Sequence, residues 1–200
     1  MIGSASTVLL VLALLGQVGG INPAAPKSGL SRELSNAFGK KLELLEKFDH
    51  DPKAKRTKVE VLESELNSYV RFALAGKVPR GLRDVRIILQ EGRLELRGFA
   101  NLSEFSELKD KGASFLSLLN GEMAVEVVAD FKSDRGFGQF ELVSAQVGPL
   151  PLSASVVGDI VARATTDSSR PSGFDIHAPF RLPYSARRIR PQHALATIEY

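Results

Sequence analysis

The sequence predicts an α+β domain: a long, twisted antiparallel sheet wrapped over two or three helices, built from repeated helix-hairpin units. Three observations lead there. Short apolar alternations come in pairs joined by turn residues, and amphipathic segments recur between the pairs. The order of strand, then helix plus hairpin, runs three times at a spacing of about 45 residues, within the range of structural repeats. Strands joined by short turns are antiparallel neighbours, and helices recurring along one such sheet fall on its apolar face. The units share little identity, so the repeat is one of architecture.

The domain opens with "KVEVLESELNSYVRFAL", Lys58 to Leu74. Val59 and Val61 alternate with Lys58, Glu60 and Leu62, the two-residue period of a half-buried strand. From Leu66 the apolar positions are Leu66, Tyr69, Val70, Ala73 and Leu74, one face of a helix. "DVRIILQEGRLELRGFANL" then reads as a hairpin, with Val85, Ile87 and Leu89 alternating, a turn at Glu91-Gly92, and Leu94 and Leu96 alternating again. Between Ser103 and Leu119, Phe105, Leu108, Phe115, Leu116 and Leu119 keep helical register, weakened in the middle by Gly112. In the second hairpin, Met123, Val125, Val127, Ala129 and Phe131 share a face, and "SDRGFG" turns into "QFELVSAQV". A third helix starts after "VGPLPLSAS", because Pro149 and Pro151 bar an earlier start; its stripe is Val156, Val157, Ile160, Val161 and Ala164. "FDIHAPFRL" alternates Phe174, Ile176, Ala178, Phe180 and Leu182, and a last strand spans about Leu195 to Tyr200.

The N-terminal quarter is different. Nothing from Met1 to Pro26 is charged, and "TVLLVLALL" is a compact apolar run followed by the small residues Gly16, Val18 and Gly20. That predicts a signal peptide or membrane anchor over residues 1–20 and an exported protein of the periplasm or cell envelope. The basic residues expected ahead of the run are missing; Lys27 and Arg32 lie behind it. Residues 21–56 read as a spacer helix and a linker. Leu34, Phe38, Leu42, Leu45 and Phe48 form the helix stripe, Ser31 is its N-cap, and "DHDPKAKRTK" breaks it. The helix is expected to sit outside the core of the domain at 57–200. A second reading lays it on a membrane surface, because Lys40, Lys41 and Lys47 flank its apolar side.

Composition narrows the function. The 200 residues contain no cysteine, which excludes disulfides and thiolate metal sites, and no tryptophan with only three tyrosines, which leaves little for stacking on bases or sugars. The net charge of +3 is too small to demand a nucleic-acid partner. His50 in "FDHDP" stands alone before a proline, His177 falls on the polar side of its segment, and His193 follows Pro191 in a turn; none has the grouped spacing of a metal site. There is no G-x-S-x-G, and "GFG" and "RGL" are turns that open no helix. Glu63 and Glu65 begin a helix, where carboxylates complement the dipole without catalysis. The reading is a non-enzyme without cofactors.

Two features remain. The helix stripes carry Tyr69, Phe72, Phe105, Phe115, Leu116, Leu119, Val157, Ile160 and Val161, which read as core or as the wall of an apolar groove. Arginines crowd two places, Arg80, Arg83 and Arg86 by the first hairpin and Arg187, Arg188 and Arg190 near the end. They are two solvated loops or, if they meet, a phosphate-headgroup site built from Arg83, Arg86, Arg187 and Arg188.

"VEVLESELNSYV", "VGPLPL" and "FRLPYSARRIR", in this order and at these separations, resemble the bacterial cell-envelope lipid-binding family of the mycobacterial lipomannan-elongation protein LmeA, whose fold is similar to the tubular lipid-binding (TULIP) domains. The resemblance covers roughly Val59 to Tyr200. It implies an exported, non-catalytic domain that holds a phospholipid or polyprenyl-type lipid between helices and a curved sheet, at a membrane surface. This chain departs from the pattern at Ser185, where a glycine is expected after "LPY", at "RPQHAL", which replaces a glycine turn, and at Leu62, which replaces a threonine cap. The competing expectation is an envelope assembly module that binds a protein partner and no lipid.

Overall fold

The computed structural model describes residues 29–51, 57–78, 81–101, 121–166, 168 and 170–200. The apolar N-terminal run, most of the linker and the segment holding Phe105, Phe115, Leu116 and Leu119 lie outside them. The described residues form three helices: α1 (Arg32–His50), α2 (Glu63–Phe72) and α3 (Ala154–Ala164). The strands are β1 (Val59–Leu62), β2 (Leu82–Gln90), β3 (Arg93–Asn101), β4 (Glu122–Asp134), β5 (Phe137–Val147), β6 (Leu150–Pro151), β7 (Phe180–Arg181), β8 (Arg188–Gln192) and β9 (Leu195–Glu199). The α+β class holds, and every strand pairing is antiparallel.

The strands form two sheets. One runs β2-β3-β4-β5-β6, with the short β7 also on β5; the other runs β1-β9-β8. The first strand of the domain therefore pairs with the last, Val59 opposite Ile198 and Val61 opposite Ala196. β8 crosses the ends of the large sheet's hairpins and is tied to them. The Ser133 hydroxyl donates to the Ile189 carbonyl at 2.6 Å and accepts from the Ile189 N–H at 2.9 Å. The Gly92 N–H donates to the Pro191 carbonyl at 3.1 Å.

Local sequence explains the hairpins. Leu89 faces Leu94 and Ile87 faces Leu96 across β2 and β3, which sends the alternating apolar set to one side. The β4–β5 turn places Arg135 and Gly136 both at positive φ, +48 and +83, the backbone of a two-residue turn matched to strand twist. Gly138 serves a different need. A Cβ there would lie 2.9 Å from the Leu182 side chain and 3.0 Å from the Phe180 ring. Its absence lets Phe131, Phe140 and Phe180 close into one cluster, with centroids 5.0 to 6.3 Å apart.

α1 begins as expected, with the Ser31 hydroxyl accepting the Leu34 N–H at 3.2 Å. Its placement corrects the spacer reading. Phe38 and Leu45 are 2% and 0% exposed and belong to the main core with Phe131, Leu182 and Ile198. The helix is a wall of the domain, because the inner faces of the two sheets present more apolar surface than α2 alone can cover. The membrane-surface reading fails for the same reason: Phe38, Leu45 and Phe48 of the apolar stripe are buried in the domain, and Leu34 and Leu42 are half-buried. Lys41, one of its flanking cations, is spent on Glu65 at 2.6 Å.

The run Phe174 to Leu182 is also corrected. Burial alternates as expected, with Phe174, Ile176 and Leu182 buried, but only Phe180–Arg181 joins a ladder. Pro179 has no N–H to give, and the Asp175 carboxylate takes the His177 N–H at 2.8 Å, so the backbone turns locally. Phe174 and Ile176 pack with Ala145, Val157 and Val161 in a second cluster, whereas Leu182 belongs to the main core.

Candidate functional site

α2 holds the interior together through polar side chains on one face. Glu63, Asn67 and Arg71 are one helical turn apart, about 6 Å, close to the two-residue step of a strand. They meet the free edge of β2. The Glu63 carboxylate accepts the Leu89 N–H at 2.8 Å. The Asn67 amide accepts the Ile87 N–H at 2.8 Å and donates to the Ile87 carbonyl at 2.7 Å. Arg71 pairs with Asp84 at 3.7 Å. Glu65, buried, accepts from Lys41 and from the Leu62 N–H at 2.9 Å. Leu62 has no acceptor to return, so this N-terminus carries only the glutamate half of a capping box. Both carboxylates that open α2 are thus engaged by structural donors.

Beneath this lattice lies an apolar cavity of about 110 Å³. α1 contributes Phe38, Leu42 and Leu45; Val61 and Leu66 come from β1 and α2. The large sheet adds Ile87, Leu89, Leu94, Phe131 and Phe140, with Phe180, Leu182 and Pro183 behind them. The C-terminal hairpin closes the far side through Ile189, Pro191, Ala196 and Ile198. Every lining residue is apolar, so nothing in the wall can hydrogen-bond a ligand or polarise a bond. An apolar cavity of about 150 Å³ stays dry and binds benzene, whereas sites for larger organic ligands run from roughly 300 Å³ upward. At about 110 Å³ the space is on the scale of a small apolar molecule and well short of one for a larger organic ligand.

None of the described members of the expected groove set lines this cavity. Tyr69 packs edge-on against Phe38 at 5.0 Å, and burial pushes its hydroxyl pKa up. Phe72 sits under the Arg32 guanidinium at 5.3 Å. Val157 and Val161 are buried in the second cluster, and Ile160 is half-buried on α3. Phe105, Phe115, Leu116 and Leu119 lie outside the described residues.

The arginine patches do not meet. Arg83 pairs with Glu122 at the start of β4, and Arg188 pairs with Asp134 at its end, 2.5 Å away. They lie at opposite ends of a thirteen-residue strand, whose twelve steps of about 3.3 Å span at most roughly 40 Å. Arg86 is exposed on β2 opposite Arg97. Arg187 is exposed, with its backbone N–H donated to the Glu199 carbonyl at 2.7 Å. A joint headgroup site from Arg83, Arg86, Arg187 and Arg188 is therefore not formed; carboxylates at both ends of β4 bind an arginine each instead.

Sequence reasoning missed Phe131, Phe140 and Phe180 as lining residues, together with the C-terminal hairpin. The signal was present in the alternation of Ile189 with Pro191 and of Ala196 with Ile198. Among the described residues there is no group of three or more His, Asp or Glu side chains that could hold a metal ion. No described helix is long and apolar enough to cross a membrane. Compared with known proteins, the chain matches no family model, no curated protein and no solved structure.

Proposed function

We propose that the chain is a non-catalytic protein of the cell envelope that holds the hydrocarbon part of a lipid, a phospholipid or polyprenyl type, in the cavity between α1 and the two sheets. The observation that carries this reading is the wall itself: α1, β1, α2 and both sheets converge on a space to which none contributes a polar side chain. A filled core would have collapsed such a void, since empty space forfeits the contacts of its lining. The resemblance in "VEVLESELNSYV", "VGPLPL" and "FRLPYSARRIR" supports the ligand class, and the uncharged apolar start supports export. The headgroup stays outside the cavity and does not depend on the separated arginines.

The test has two arms. Organic extraction of the full chain, purified from a bacterial host without detergent, should release lipid detectable by mass spectrometry. The delipidated protein should then bind benzene or xenon, seen as shifts of the Leu45, Leu89 and Ile198 methyl resonances. No lipid and no methyl shift would overturn the reading.

A further inference from the structure

The cavity is benzene-sized, and a lipid chain is larger, so part of the wall must yield for the proposed ligand to enter. The two halves of α1 are held differently. Its N-terminal half is pinned to α2: the Ser31 N–H donates to the Ser68 hydroxyl at 3.2 Å, Arg32 covers Phe72, and Phe38 packs on Tyr69. Ser35 and Ser68, both buried, show how closely this end is seated. The C-terminal half covers the cavity with Leu42 and Leu45. Its far end is tied by the Ser185 hydroxyl, which donates to the Asp49 carboxylate at 2.6 Å, and by Phe48 edge-on against Tyr200 at 5.0 Å.

We propose that the C-terminal half of α1 is the movable wall of the cavity, hinged on the α2 contact and latched by Asp49 and Ser185, and that it lifts to admit a single hydrocarbon chain. This rests on the lipid-chain reading and adds the route of entry. Two features of the latch fit the role. Ser185 and the preceding Tyr184 both hold φ near +56, a conformation that side chains other than glycine adopt at a cost, so the short turn that carries the latch is held under strain. Pro183, two residues before Ser185, lines the cavity, so the latch and the wall belong to one short segment.

The chain has no cysteine, so a pair introduced by Asp49→Cys and Ser185→Cys is the only thiol pair in it. Two probes separate the outcomes in the full chain: benzene, which suits the cavity at its present volume, and the long-chain fluorescent fatty acid cis-parinaric acid, which is too large for it. Benzene should bind the oxidised and reduced forms alike. Uptake of cis-parinaric acid should be slowed about tenfold or more by oxidation and restored by reductant, as for a gated site. Asp49→Ala, which opens the latch with no need for a crosslink to form, should speed uptake several-fold over the unaltered chain. Equal uptake in the oxidised and reduced pair, or no acceleration by Asp49→Ala, would overturn the hinged wall while benzene binding left the cavity reading intact. Failure of both probes in every form would overturn the cavity reading and the hinge together.

Discussion

Asn67 on α2 and Ile87 on β2 exchange two hydrogen bonds, the side-chain amide taking the place of a neighbouring strand. A third bond, from the same amide nitrogen to the Glu63 carbonyl at 3.0 Å, fixes its orientation. β2 is the edge of the large sheet, and an open edge invites pairing with other chains. Here the edge is closed by a helix in place of a strand. Leu89 extends the same device, giving its N–H to Glu63 and accepting the Ala194 N–H at 3.1 Å.

Asn67→Leu should therefore be costly despite adding apolar volume. It strands a buried N–H and a buried carbonyl, each worth about 1–3 kcal/mol when left unpaired. We expect a loss of roughly 2–5 kcal/mol, read as a lower urea midpoint with little change in slope. Asn67→Asp restores the acceptor but not the donor and should fall between the two. A variant within experimental error of the parent would show that the edge needs no such partner.

The glycine positions yield a second prediction. Ser185 stands where a glycine was expected and Ala194 lies in "RPQHAL", where a glycine turn was expected; both adopt positive φ, +56 and +58. Ala194 gains nothing from its methyl group there, so Ala194→Gly should stabilise the fold by about 1 kcal/mol. Ser185→Gly should be close to neutral, because relief of strain is offset by loss of the bond to Asp49, about 1 kcal/mol in each direction. Ser185→Ala keeps the strain and loses the bond, and should be the least stable of the three. Thermal melts of the three variants give the order directly; Ser185→Gly melting below Ser185→Ala would refute it.

Much of this was legible in sequence, and the failures have a common cause. The alternation of Val59 and Val61, the Leu89–Leu94 hairpin and the Ser31 cap follow from local chemistry, and the structure reproduces each. Periodicity also identified the apolar side of α1. It could not say what covers that side, because the partners of Phe38 and Leu45 come from β4, the Leu182 segment and β9, far away in sequence. The arginines failed for a related reason. Each patch is clustered in sequence, but the thirteen residues of β4 hold the two apart, with an acid waiting at each end. The aromatic wall was half legible: Phe131 and Phe180 lay on faces read correctly, and only Gly138 brings them together.

Acid sensitivity follows from three carboxylates. Asp130, Asp134 and Glu199 all lie below their ordinary pKa, first because Arg93, Arg188 and Arg190 respectively hydrogen-bond to them. A depressed folded-state pKa means that the contribution is complete above the ordinary carboxylate range, about pH 4, and is lost as pH falls through the lower folded value. Stability should thus be level from neutral pH to about pH 5 and decline below about pH 4. Replacing the three by Asn, Asn and Gln should flatten that decline and remove part of its salt dependence. Urea midpoints across pH 3 to 7 provide the measurement, and an unchanged profile in the triple variant would place the acid response elsewhere.

The cavity supplies the last prediction, because filling it separates binding from folding. Ala196 on β9 lines the void and pairs with Val61 and Pro191, in a strand where a β-branched residue suits the backbone. Ala196→Val adds two carbons to open space. At about 0.8 kcal/mol per buried carbon, and with no atom displaced, the variant should gain roughly 1–1.5 kcal/mol. The same change shrinks the space a ligand needs, so benzene binding and lipid recovered by extraction should both fall. Leu45→Ala works in the opposite sense. It removes a side chain that is wholly buried against the cavity, should cost about 3–5 kcal/mol, and enlarges the space. Added hydrocarbon ligand should then return part of the lost stability, by binding the folded state alone. A void that serves only packing would show the first half of each result: Ala196→Val would stabilise and Leu45→Ala would destabilise, but neither would alter lipid content, and no hydrocarbon would rescue Leu45→Ala.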